Sequence, residues 1–112
     1  MPKQRDIVLI EVPFSDLSVV KRRPVLIPSS DKRLQLSPDM LVATITSNLN
    51  AGMMGVVFDT ADMEAGTLPR RSLIRADKIH NRSQAEIIKT FGVLNKITFE
   101  KVLTEIDDVL GR

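Results

Sequence analysis

Leu73-Ile74-Arg75-Ala76-Asp77-Lys78-Ile79 reads as a β-strand with one unusual face. Side chains alternate along a strand, so Leu73, Arg75, Asp77 and Ile79 share one face, and Ile74, Ala76 and Lys78 share the other. A fixed cation and a fixed anion two residues apart then stand about 6.5–7 Å apart along the strand. That gap suits a phosphate together with its attacking and leaving oxygens. An ion pair on a solvated face is the plainer reading of the same residues. What the rest of the chain sets beside them decides between the two.

Around this stretch the chain carries other short runs rich in β-branched residues. Asp6 to Val12 reads as a largely buried first strand closed by Pro13. Phe14 to Val20 reads as a loop. Lys21-Arg22-Arg23 then precedes Pro24-Val25-Leu26-Ile27-Pro28, a second strand starting at its proline. Three cations before a strand are either a solvated run or a phosphate grip. Ser29 to Arg33 is turn-like, and Leu34 to Asp39 reads as a loop with Ser37-Pro38-Asp39 as its turn. Met40 to Asn48 is the third strand. Its Val42, Thr44, Thr46 and Asn48 share a face, and three polar groups in succession suit an exposed, ligand-facing end. Thr is also simply a good strand residue.

Leu49 to Gly55 reads as a loop, Val56 to Asp59 as a short strand and Thr60 to Gly66 as an exposed acidic loop. Arg70 and Arg71 lead into the strand quoted first, and His80-Asn81-Arg82-Ser83 reads as the turn that ends it. Glu86 to Leu94 is the last strand. The period then changes from two to 3.6: Phe99, Val102, Leu103, Ile106, Val109 and Leu110 fall on one side of a helix. Thr98 is its expected N-cap and Gly111 its stop. Five or six short strands followed by one helix predict a mainly β domain, a small closed or half-open barrel, spanning residues 1–112 as one unit.

Composition narrows the chemistry. In 112 residues, 43% are hydrophobic and 27% charged, which predicts a folded domain with a modest core. There is no Cys and one His, so thiol nucleophiles, thiolate metal sites and a histidine acid–base pair are excluded. Trp and Tyr are absent and the Phe number four, so a base-stacking platform is weak. No metal site and no cofactor are expected. No apolar run is long enough to cross a membrane and no signal peptide opens the chain, so the cytoplasm is the expected compartment. The net charge is only +2, so the placement of charge must carry any argument for nucleic acid.

The ordered set of motifs resembles the MazF/PemK (Kid) toxins. Asp6-Ile7-Val8 fits the family opening, and Arg23-Pro24-Val25-Leu26-Ile27 with Ser29-Ser30-Asp31 resembles its second-strand signature. Ala43-Thr44-Ile45-Thr46-Ser47 is similar to the third-strand signature, and Ser72 to Ile79 to the strand after the long loop. The resemblance covers nearly the whole chain. It implies an SH3-like barrel of the CcdB/MazF/PemK-like toxin fold with a C-terminal helix, and a homodimer. It implies an endoribonuclease that cuts single-stranded RNA at short sequences and so inhibits translation. A small cognate antitoxin is the implied partner, and operator DNA is engaged indirectly through it.

By the same resemblance, Arg23 takes the phosphate-binding or catalytic arginine position and Thr46 the third-strand threonine, with Ser47 beside it as an RNA contact. Arg75 and Asp77 fall on the pair proposed as acid and base in PemK-type members. Lys21, Arg22, Arg70 and Arg71 form a basic face with Arg23 and Arg75 and, with Asn48, are further expected RNA-binding residues. Three departures stand out: Arg5 is followed directly by Asp6, the stretch Ser18 to Arg22 lacks glycine, and the histidine found in that loop in some members is missing. His80 is read as a turn residue.

RNA carries its own nucleophile, the 2′-hydroxyl. An enzyme must remove that proton, stabilise the crowded phosphate and protonate the leaving 5′-oxygen, which calls for no metal. The products would be a 2′,3′-cyclic phosphate and a 5′-hydroxyl. Arg23 and Arg75 would stabilise the phosphate charge, and Thr46 and Ser47 would orient it. Asp77 either accepts the 2′-hydroxyl proton or only positions Arg75, since a neighbouring arginine lowers a carboxyl pKa. The competing readings are a nuclease-inactive relative that binds RNA or antitoxin, and a CcdB-like gyrase poison. The latter depends on an aromatic-containing C-terminal motif, and this chain ends Val109-Leu110-Gly111-Arg112. A generic SH3-like peptide binder would need an aromatic groove that no Tyr or Trp can supply.

Overall fold

The computed structural model of the protein describes residues 1–13, 20–51 and 54–112. The expected loop from Phe14 lies outside the described residues, except for Val20. Seven strands appear in chain order: β1 (Asp6–Pro13), β2 (Val20–Leu26), β3 (Asp39–Thr46), β4 (Gly55–Phe58), β5 (Met63–Gly66), β6 (Ser72–Ser83) and β7 (Ile87–Leu94). A short helix, α1 (Asp31–Leu36), joins β2 to β3, and α2 (Lys96–Leu110) ends the fold. The strands form one antiparallel sheet in the order β4-β6-β3-β2-β1-β7-β5.

The sheet has two buried faces. Ile7, Leu26, Ala43, Ile45, Phe58, Ile74 and Leu94 come from six different strands yet share one cluster with Phe99 and Val102 of α2. Strands near both ends of the sheet meeting in one cluster means that the sheet curls into a barrel, with α2 packed over it. On the opposite face, Val8, Ile10, Val25, Ile27, Met40 and Val42 gather under Leu34 of α1. Helix α1 is short, so it caps only part of this second face. The first cavity of the candidate site borders this face, through Ile10, Val25 and Val42, and the second borders the barrel cluster, through Ile45, Leu68 and Phe91.

Several expectations need correcting. Residues Ser29 to Asp39 contain a helix, not only turn and loop: Ser30 caps it, its Oγ accepting the Arg33 N–H at 3.2 Å, and Leu34 anchors it. One and a half turns show no periodicity to read. The acidic stretch from Thr60 to Gly66 is a 3₁₀ turn (Thr60–Asp62) followed by β5. Its carboxylates have structural work, since Asp59 Oδ1 accepts the Ala61 N–H and Asp62 Oδ2 accepts the Asp59 N–H. Helix α2 is capped by Asn95, whose Oδ1 accepts the Thr98 N–H at 2.7 Å, and not by Thr98. Thr98 is buried and donates its hydroxyl to Asp62 Oδ1 at 2.8 Å, tying the helix to the 3₁₀ turn. Gly111 closes α2 in the left-handed conformation as expected.

Strand β5 is held against β7 by two glycines. Gly66 pairs with Gly92, and Gly66 has a φ of +82°. A Cβ at Gly66 would stand 2.1 Å from the Phe91 carbonyl oxygen and 2.7 Å from the Gly92 Cα, both backbone atoms of β7. Gly66→Ala combines a left-handed penalty with a contact that no side-chain motion relieves. It should cost about 1–3 kcal/mol and lower the Tm on the order of 5–15 °C. Thermal unfolding followed by circular dichroism checks this; an unchanged Tm would mean that β5 moves off β7 freely.

Candidate functional site

The site starts from a gap in the sheet. β2 pairs with β1 along its whole length but meets β3 only through Val25 and Leu26. Before Val25 the β3-side edge of β2 is open, and an open edge tolerates a proline because no N–H is required there. This is why β2 runs through Pro24 instead of starting at it. Lys21, Arg22 and Arg23 are therefore strand residues and not a lead-in loop. Carrying the Val25–Thr44 register two residues further sets Arg23 across from Thr46.

Arg23, Ile45 and Thr46 form the shared wall of two adjoining cavities of about 370 and 300 Å³. The first is floored by Ile10, Val25 and Val42, apolar residues of the face that α1 leaves open. Thr44, Arg75, Lys78, His80 and Arg82 surround that floor. The second is walled by Pro24, Leu68, Pro69 and Phe91, with Ser47, Arg70 and Ser72 as its other polar residues. No carboxylate lines either cavity among the described residues, while Arg23, Arg75, Lys78, Arg82 and Arg70 do. The net charge of the chain conceals this separation of sign.

The strand quoted first is less regular than its sequence suggests. On β3, Ala43 and Ile45 are two residues apart, but their partners on β6, Ile79 and Ile74, are five apart. The surplus residues form an irregularity covering Arg75 to Lys78. A bulge changes the parity of a strand. Arg75 thereby joins Lys78, His80 and Arg82 at one cavity, although simple alternation would set it on the opposite face. His80 is not a turn residue: β6 continues to Ser83, and His80 pairs with Val42.

The phosphate-sized gap between Arg75 and Asp77 is closed. Arg75 Nε donates to Asp77 Oδ1 at 3.1 Å and Nη2 to Oδ2 at 2.9 Å, a two-pronged ion pair. This is the plainer of the two readings offered by the sequence. The hydrogen bond from Arg75 holds the Asp77 carboxyl below its usual range, and the same bond raises Arg75. Asp77 itself lines neither cavity. Arg82 is held in the same way by Glu86, its Nε donating to Oε1 at 3.1 Å. Arg23 has no carboxylate partner among the described residues, and Lys78 forms no ion pair there but adds its charge to what lowers the Asp77 carboxyl. Thr46 Oγ1 accepts the Asn48 N–H at 3.2 Å, which leaves its hydroxyl proton available to an acceptor in the cavities.

The structure thus brings together Arg23, Thr46, Ser47, Arg70 and Arg75. Lys21, Arg22, Asn48 and Arg71 are exposed and line neither cavity. Arg22 instead lies 3.7 Å from Glu11 on the neighbouring strand. Sequence reasoning missed Lys78, His80 and Arg82, which a longer β6 would have aligned. Thr44, read with Thr46 and Asn48 as part of a ligand-facing strand end but not named as a site residue, lines the first cavity. Among the described residues no group of three or more His, Asp or Glu side chains could hold a metal ion, and no helix is long and apolar enough to cross a membrane.

A seven-stranded curled sheet under a C-terminal helix thus carries two adjoining cavities edged with cations. In a scan against protein-family models, residues 3–110 match the PemK-like, MazF-like toxins of type II toxin–antitoxin systems. The chain belongs to that family. Among solved structures, an endoribonuclease in complex with its cognate antitoxin from a mycobacterial species superposes with a TM-score of 0.81 at 19% identity. That match covers 99% of this chain and 96% of the other. The Mycobacterium tuberculosis toxin MazF-mt6 gives a TM-score of 0.77 at 20% identity over 96% of this chain and 97% of its own. MazE–MazF from Deinococcus radiodurans gives 0.77 at 15% identity over 98% and 96%. At these identities the likeness establishes the fold. No curated protein sequence matches the chain significantly.

Proposed function

We propose that this family member is a sequence-specific endoribonuclease that cuts single-stranded messenger RNA without a metal ion and so inhibits translation. The observation that carries the reading is the shared wall: Arg23 and Thr46, on different strands, stand together between two cavities edged with cations. The solved relatives described as an endoribonuclease and as antitoxin complexes support it. The toxin would act in the cytoplasm as a homodimer, be silenced by a small antitoxin, and reach operator DNA through that partner.

In this reading the 2′-hydroxyl gives its proton to solvent water as its oxygen attacks phosphorus, the bond to the 5′-oxygen breaks, and that oxygen takes a proton from water, so that a 2′,3′-cyclic phosphate and a 5′-hydroxyl result. Arg23 and Arg75 lie against the non-bridging oxygens, where charge grows in the transition state. Thr46 donates its free hydroxyl proton to the phosphate, and Ser47 adds a second contact. Asp77 has both oxygens engaged by Arg75, so it is read as a positioning residue. It would serve as base only by giving up part of that pair.

The test is incubation with a long single-stranded RNA in EDTA, with and without Arg75→Ala, followed by end mapping. Discrete cuts with cyclic-phosphate ends, lost in the variant, are expected. Ends bearing 5′-phosphate would overturn the mechanism; RNA bound but uncut would favour a nuclease-inactive binder. Binding itself should be strongly salt-dependent. For an RNA blocked by a 2′-deoxy group at the cut, Lys78→Ala should make the slope of log affinity against log salt shallower by about 0.7. An unchanged slope would mean that Lys78 touches no phosphate.

A further inference from the structure

We propose that the two cavities are adjacent nucleoside subsites, and that the phosphate to be cut lies on the ridge of Arg23, Ile45 and Thr46 between them. This rests on the RNA-cutting reading above. In a dinucleotide the phosphate is the one group shared by two nucleosides. In the structure Arg23 and Thr46 are the polar side chains shared by the two cavities. The volumes, about 370 and 300 Å³, lie at the low end for ligand pockets, with room for one nucleoside each.

The two cavities also differ in the groups with which they can read a base. The first is floored by the buried side chains of Ile10, Val25 and Val42, with Thr44 and His80 among its polar lining residues. The second offers apolar walls from Leu68, Pro69 and Phe91, with Ser47 and the Arg70 guanidinium as hydrogen-bonding groups. Lys89 stands 4.7 Å over the Phe91 ring, so one face of that ring is already covered. Apart from the ridge, the two sets have no residue in common. Base choice on one side of the cut is therefore set by Thr44 and His80, and on the other side by Ser47 and Arg70, each independently.

The test is to sequence the ends produced by the wild type, His80→Ala and Arg70→Ala on one long single-stranded RNA of mixed sequence. His80 and Arg70 are exposed, so both variants should fold; circular dichroism checks this. Each variant should still cut, more slowly. Each should lose about tenfold of its base preference, as for one lost hydrogen bond, at one position next to the cut. The two variants should affect opposite sides. Thr44→Val and Ser47→Ala, which remove the hydroxyls, give the same readout should either truncation fail to fold. Preference lost at the same position in both variants, or retained at both positions while cutting continues, overturns the two-subsite assignment. A wild type that makes no cuts overturns the RNA-cutting reading and this inference with it.

Discussion

Arg23→Ala is expected to slow RNA cutting by about 10²–10³-fold while leaving the fold intact. The size follows from where the residue stands. Arg23 lies on the wall common to both cavities and has no carboxylate partner among the described residues. Its charge is therefore not spent on the protein, and a preorganised cation beside a developing phosphorane acts where water is partly excluded. Its side chain is exposed, so truncation removes no core packing. The Tm should move by no more than a degree or two, as is usual for surface substitutions. Arg23→Lys should fall between the two, because an ammonium keeps the charge but not the fork that grips two oxygens. Initial rates on a single-site RNA, with thermal unfolding on the same samples, decide it. Cutting at near wild-type rate in Arg23→Ala would move the scissile phosphate off the ridge and leave Arg75 as the main cation.

Arg23 and Thr46 were singled out by their short motifs, although Arg23 was expected ahead of its strand and lies within it. On β3, Thr44 and Thr46 line the first cavity together, as their shared face predicts, and Ile45 between them joins the same wall. The β6 residues were legible as residues but not as geometry. An irregularity of register leaves no mark in hydrophobic periodicity, because it is fixed by how β6 divides its pairing between β3 and β4. The same limit ended β6 too early. His80-Asn81-Arg82-Ser83 has turn-like composition, yet these residues pair with β3 back to Asp39. Ser83 serves a turn only at the end, accepting the Ala85 N–H. Helix α1 and strand β5 were missed because each gains its stability from contacts distant in sequence. Leu34 is buried on the sheet face under α1, and Gly66 lies against Gly92. Helix α2, with a hydrophobic stripe and a terminal glycine, needed no such help, although its start was read three residues late.

Arg75→Ala should lower cutting by about 10²-fold and Asp77→Asn by less than about tenfold, if Asp77 positions its partner and does not take the proton. The argument rests on what the asparagine keeps. Its Oδ1 still accepts from Arg75 Nε, the bond now 3.1 Å long, so the guanidinium retains one of its two tethers. What it loses is the charge and the second prong at Oδ2. A true general base contributes about 10²–10⁴-fold, and an amide cannot replace it. The pH profile separates the roles independently. Arg75 holds the folded Asp77 pKa below its ordinary value. The stabilising effect of the pair is therefore fully present above the usual carboxylate range, and is lost only as pH falls through the lowered value. A positioning Asp77 thus gives wild type and Asp77→Asn the same pH profile from about pH 5 upward, where the pair is intact. A catalytic Asp77 would remove its own ionisation from the profile when replaced, together with most of the rate. An Asp77→Asn rate below that of Arg75→Ala, with a changed acid limb, would restore the base assignment and require the pair to open when RNA binds.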